Sequence, residues 1–134
     1  MKLSFFIHGR PIPKQSARIG KHGGYQPKRI QEYGEKVRMY CAKAVSEGDW
    51  KVSERPVMVT LLFCFPWPGG TKKALIEDRL PRIKRPDVDN LSKACLDGMD
   101  VLWIDDAQVS HLVARKLNVP RGQEGVQVEV CYVE

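Results

Sequence analysis

The sequence predicts one α+β domain over residues 1–134, a mixed four-stranded sheet with helices packed on it. Three observations predict it. The length suits a single domain with its own core. Stretches of two-residue alternation and stretches of helical spacing follow one another in the order strand, helix, strand, helix, hairpin, and no internal repeat or low-complexity segment interrupts them.

Lys2 to His8 alternates Leu3, Phe5 and Ile7 with Ser4, Phe6 and His8, the pattern of a strand with one buried face. Gly9 to Pro27 carries Pro11, Pro13, Gly20, Gly23 and Gly24 together with Arg10, Lys14, Arg18 and Lys21, and predicts a long basic loop suited to a contact arm. From Lys28 to Glu47, Ile30, Tyr33, Val37, Tyr40 and Ala44 recur at helical spacing; Pro27 suits the start and Gly48 the end. Val57 to Phe65 is β-branched and aromatic on both alternate faces, as in a central strand, and Pro66, Pro68, Gly69 and Gly70 stop it. A short helix is expected around Lys73 to Arg79. Asp89 to about Asp100 predicts a second helix, with Leu91, Ala94, Cys95, Gly98 and Met99 on one side and Asp89, Lys93, Asp97 and Asp100 on the other. Gln108 to Val119 alternates as a strand, Pro120 to Gly125 turns, and Val126, Val128, Val130 and Tyr132 mark the last strand.

Composition excludes several classes. With 43% hydrophobic and 28% charged residues the chain reads as neither disordered nor a coiled-coil rod. Its longest apolar run, Val57 to Trp67, is too short to span a bilayer. The N-terminal segment has no cleavage-site pattern, which makes a cytoplasmic location the expectation. Cys41, Cys64, Cys95 and Cys131 lie 23, 31 and 36 residues apart, without C-x-x-C or finger spacing, and are expected as reduced core residues. His8, His22 and His111 share no ligand spacing, and Trp50, Trp67 and Trp103 are expected to pack. Gly20 to Gly24 lacks the G-K-[ST] ending of a phosphate loop, so no nucleotide cofactor is expected.

The net charge of +6 is unevenly spread. Residues 1–43 carry a net +8 and residues 72–85 a net +4, whereas residues 86–106 hold six aspartates against Lys93 alone. A basic surface attracts phosphate backbones. An acidic knot within it repels them unless divalent cations neutralise it, which is the electrostatic outline of a metal-dependent nuclease.

Asp87-Val88-Asp89 supplies carboxylates two residues apart in extended backbone, which point the same way, and one helical turn leads from Asp89 to Lys93. Magnesium takes carboxylate and water oxygens and leaves positions for a substrate phosphate, and an adjacent lysine can stabilise developing charge. The Asp105-Asp106 pair is the source of a third carboxylate. The same residues also suit plain structural work: Asp89 as a helix N-cap, Asp87 in a turn after Pro86, and Lys93 paired with Asp89 and Asp97.

The full string distinguishes the two readings. Arg85-Pro86-Asp87-Val88-Asp89-Asn90-Leu91-Ser92-Lys93, then Asp97, then Ile104-Asp105-Asp106-Ala107-Gln108-Val109 resembles the RusA family of Holliday-junction resolvases, with its D-x-D-N-L-x-K, helix and D-D-x-Q. The resemblance extends to Lys116 in the following strand; it departs from the family pattern in a short connection from Lys93 to Asp106 and in Gly98, which falls inside the expected helix. It implies a homodimeric, Mg²⁺-dependent endonuclease that binds four-way DNA junctions and nicks opposed strands symmetrically. It implies metal-binding roles for Asp87, Asp89 and Asp106, with Asp105 beside them, and a catalytic role for Lys93. Lys14, Arg18, Lys28, Arg29, Arg85 and Lys116 are the expected DNA-binding cations. The alternatives are a metal nuclease for other DNA structures and a catalytically inactive DNA-binding module.

Overall fold

The computed structural model describes residues 1–15, 18–21, 23–25 and 27–134. The expectation for His22 lies outside them, as does the side chain of Arg18. Strands β1 (Lys2–His8), β2 (Arg18–Gly20) and β3 (Gly23–Tyr25) precede helix α1 (Lys28–Glu47). Then follow β4 (Val57–Pro66), β5 (Leu80–Pro81), helix α2 (Val88–Gly98), β6 (Val109–Val119) and β7 (Gly125–Tyr132). Two 3₁₀ turns, Asp100–Leu102 and Asp106–Gln108, join α2 to β6.

The α+β architecture is as expected, with one more strand in the main sheet. Its order is β1-β7-β4-β6-β5, with β4 and β6 parallel and the other pairs antiparallel. The fifth strand is only Leu80–Pro81, paired with Asn118 and Leu117. Two residues carry no periodicity, so β5 had no signal in the sequence. The expected helix around Lys73 to Arg79 is instead a run of turns. The expected loop from Gly9 to Pro27 contains the β2–β3 hairpin.

Both helices pack together on one face of the sheet. The core joins Tyr33, Val37 and Cys41 of α1, Leu91, Ala94 and Cys95 of α2, and Val59, Leu61 and Phe63 of β4. Gly98 ends α2 where it meets α1: a Cβ there would lie 2.7 Å from Val37 Cγ1 and 3.1 Å from the Gly34 carbonyl. The glycine therefore serves close helix contact, while the cap falls on Met99, whose N–H donates to the Leu96 carbonyl. At the other end of the core Trp50 stacks on Tyr132, with ring centroids 4.5 Å apart, and donates its indole N–H to the Leu102 carbonyl at 3.0 Å. That bond fixes the segment after α2 to the base of the sheet.

All four cysteines are free; Cys41, Cys64 and Cys95 are buried, while Cys131 is half-buried because it lies on the sheet face away from the helices. Burial pushes the Cys41 and Cys95 thiols up to about 12, so they stay protonated and inert. Trp103 is buried, Trp67 half-buried, and His8 and His111 are exposed. Among the described residues, no helix is long and apolar enough to cross a membrane.

Candidate active site

The D-x-D segment sits at the end of the sheet where β5 meets β6, and two cations of the protein hold its approach. Lys116 lies on the same strand face as Leu112 and Ala114, so its ammonium turns toward the helix side, where it donates to the carbonyls of Lys84 at 2.9 Å and Pro86 at 2.8 Å. Arg82 donates to the intervening Arg85 carbonyl from Nε at 3.2 Å and from Nη2 at 2.6 Å. Three successive carbonyls are thus held before Asp87, and the Arg85–Pro86 peptide bond is cis.

Asp87 occupies the N-cap position of α2, with extended backbone, yet its side chain makes no capping bond. Asp89 follows in the first turn, and Lys93 lies one turn further on. All three are exposed, and among the described residues their side chains take part in no hydrogen bond or ion pair. Capping and local pairing therefore do not account for these residues. Asp97 pairs instead with Lys14, whose backbone N–H also donates to the Asn90 carbonyl at 2.9 Å. That seats the arm beside α2 and closes a cleft of about 500 Å³ lined by Pro13, Lys14, Gln15, Arg85, Pro86, Asp87 and Asn90.

The Asp105-Asp106 pair lies elsewhere. Asp105 caps the second 3₁₀ turn, accepting from Ala107 N–H at 2.8 Å, while the Gln108 side-chain oxygen accepts from Asp105 N–H at 2.9 Å. Gln108 also donates to the carbonyls of Ser53 at 2.7 Å and Arg55 at 3.0 Å, pinning this turn to the base of the sheet. Asp106 Oδ1 accepts from the buried Trp103 indole N–H at 2.9 Å. One oxygen is oriented in this way and the other stays available.

Within one chain the two acid pairs are not brought together. Asp106 precedes β6, whereas Lys116, which touches the Asp87 segment, lies near its far end. The stretch from Val109 to Lys116 alone spans roughly 23 Å at about 3.3 Å per residue. Accordingly, no group of three or more His, Cys, Asp or Glu among the described residues is placed to hold a metal ion.

The expected DNA-binding cations divide by their commitments. Arg29 and Arg85 are exposed, and Lys28 is exposed with a loose pairing to Glu32 at 3.7 Å. Lys14 and Lys116 are half-buried and already engaged within the protein. Sequence reasoning missed Arg82, whose role depends on the β5–β6 pairing, and Trp103 as the partner of Asp106; an indole three residues before an acid carries no signal by itself.

No curated protein matches the chain. Compared with protein-family models, it matches Endodeoxyribonuclease RusA over residues 8–131, which includes both acid pairs, Lys93 and Lys116. With that match over nearly its whole length, the chain belongs to the RusA family of Holliday-junction-resolving endodeoxyribonucleases.

Proposed function

We propose that this protein is a homodimeric, Mg²⁺-dependent resolvase that binds four-way DNA junctions and nicks opposed strands symmetrically in recombination and repair. The observation that carries this reading is the pair of exposed carboxylates, Asp87 and Asp89, held on a clamped backbone with Lys93 beside them, all three without a side-chain partner among the described residues. The donors fit the ion, because magnesium takes only one or two carboxylates and completes its octahedron with water and substrate phosphate oxygens. When bound, it would supply an activated water and charge neutralisation at the scissile phosphate. Asp87 and Asp89 would hold it, joined by Asp106. Asp105, committed to capping, would act by shaping the turn. Lys93 would stabilise charge on the phosphorane oxygens or the leaving oxygen. Arg29, Lys28 and Arg85, with Arg18, would meet the DNA backbone, while Lys14 and Lys116 would support the site from within. Four free cysteines suit the reducing cytoplasm.

The separation of the acids supports the homodimer. On the side away from β4, β6 is covered among the described residues only at its far end, by pairing at Leu117 and Asn118 and by the Arg82 N–H that donates to the Lys116 carbonyl at 3.0 Å, and its Leu112 and Val113 are exposed on opposite faces. Ile104, 65% exposed, and Val101 are further exposed apolar side chains in the segment that leads into β6. Antiparallel pairing of the open stretch of β6 with its copy about a two-fold axis at Leu112 would lay Val109 of one chain beside Arg115 of the other. The Asp105-Asp106 turn of each chain would then approach the D-x-D segment of the second copy, with acid facing Arg115 and Lys116. Each of the two opposed strands that are nicked would meet one such shared site.

Mixing variants tests this. Asp87→Asn and Asp106→Asn are each expected to be inactive alone. Mixed and re-equilibrated, they should regain single-strand nicking of a four-way junction, because half of the sites in the mixed dimer combine wild-type Asp87 with wild-type Asp106. An inactive mixture of correctly folded dimers would contradict the shared site, and an inactive wild type would contradict the enzyme.

A further inference from the structure

At the same end of the sheet as the D-x-D segment, where β4 leaves it, three guanidiniums meet without an ion pair among the described residues. Arg10, Arg82 and Arg121 line a pocket of about 370 Å³ together with Pro66, Trp67, Pro68, Gly69 and Glu124. Arg82 is 9% exposed, and its partners are neutral: the Arg85 carbonyl and Asn118 Oδ1 at 3.0 Å. Its guanidinium lies 4.4 Å from the Phe65 ring centroid, and that of Arg10 lies 5.3 Å from the same ring. Two cations thus share one aromatic ring, one of them desolvated. Burial, and then the charge of Arg10, hold the Arg82 pKa below its ordinary value, the mark of a cation lacking a counter-ion. Among the described residues Arg121 bonds through Nε alone, at 3.4 Å to the Trp67 carbonyl, with no partner for its terminal nitrogens. Glu124 is the one carboxylate in the lining, and its Oε1 accepts from Gly122 N–H at 2.6 Å. Three positive charges therefore face one negative.

The geometry points to a phosphate-binding pocket, formed by Arg10 and Arg121 over the buried Arg82, that takes a backbone phosphodiester of the DNA strand leading to the D-x-D site. The assignment rests on DNA being the substrate. A guanidinium fork matches a phosphate in shape and charge, and a phosphodiester brings the anion that the cluster lacks. Arg82 links pocket to site directly, since the carbonyl it holds belongs to Arg85, two residues before Asp87. A phosphate seated here would fix the distance between one backbone position and the cut.

The test compares wild type, Arg10→Gln, Arg121→Gln and the control Lys2→Gln, whose exposed cation lies on β1, at the edge of the sheet opposite β5. Junction and linear-duplex affinities are measured against salt without divalent metal. Each arginine change is expected to lower the slope of log K against log salt by about 0.9, the effect of one phosphate contact, and the control to leave it unchanged. Unchanged slopes in both arginine variants, or an equal change with Lys2→Gln, would overturn the pocket. A rise in melting temperature with inorganic phosphate that both variants abolish, alongside unchanged DNA slopes, would make it a free-anion site and overturn the assignment to DNA. Adding magnesium to the same samples separates the two readings. Arginine-dependent slopes without nicking by the wild type would contradict the resolvase and keep the pocket, whereas nicking with unchanged slopes would do the reverse.

Discussion

Trp103 shows how a buried side chain can serve an exposed one. Its ring fills the core while its indole N–H holds Asp106 Oδ1 at 2.9 Å, so the carboxylate is aimed before any substrate arrives. Trp103→Phe keeps an aromatic ring and deletes that donor. A hydrogen bond to a charged group is worth about 1.5–3 kcal/mol, so nicking should fall by roughly ten-fold or more with junction affinity unchanged. Melting temperature supplies the second readout: the drop caused by Trp103→Phe should shrink in an Asp106→Ala background, and an equal drop in both backgrounds would reduce Trp103 to packing. The sequence made the acids legible because D-x-D-N-L-x-K and D-D-x-Q are dense, ordered motifs. It did not reveal that Lys116 turns inward to two carbonyls, because alternation places Lys116 on the face of Leu112 and Ala114 without saying what covers that face.

At the scale of elements, the long segments were legible and the short ones were not. Lys2–His8 and Lys28–Glu47 fall where periodicity places them, since seven and twenty residues repeat their pattern often enough to be read. The three-residue strands of the β2–β3 hairpin and the two-residue β5 are set by tertiary pairing alone. Gly98 illustrates the same limit: its place inside the expected helix looked like a departure, and the reason is the approach of α1. Gly98→Ala would place a methyl group 2.7 Å from Val37 Cγ1 and 3.1 Å from the Gly34 carbonyl. Overpacking of this kind costs about 1–3 kcal/mol, so urea denaturation should show a lower midpoint with an unchanged slope. Stability equal to wild type would mean that the helices separate freely, and that α2 is less firmly placed than the contacts indicate.

Over the whole molecule, charge and topology work together. The basic arm and the arginine pocket flank the D-x-D end of the sheet, while the second acid pair lies at the other end of an open-edged strand. The uneven charge was readable from the sequence; the separation of the acids was not, because it depends on β6 running parallel to β4 for ten residue pairs. An acidic site inside a basic surface should bind DNA more tightly, not less, once a carboxylate is neutralised. The most direct test is cleavage of a labelled four-way junction beside matched linear duplex, with and without magnesium, by wild type and Asp87→Asn. Paired symmetric nicks in the junction alone, dependent on magnesium and lost in Asp87→Asn while junction binding is kept or tightened, are the predicted result. Equal cutting of linear duplex, or junction binding without nicking in any divalent metal, would contradict it.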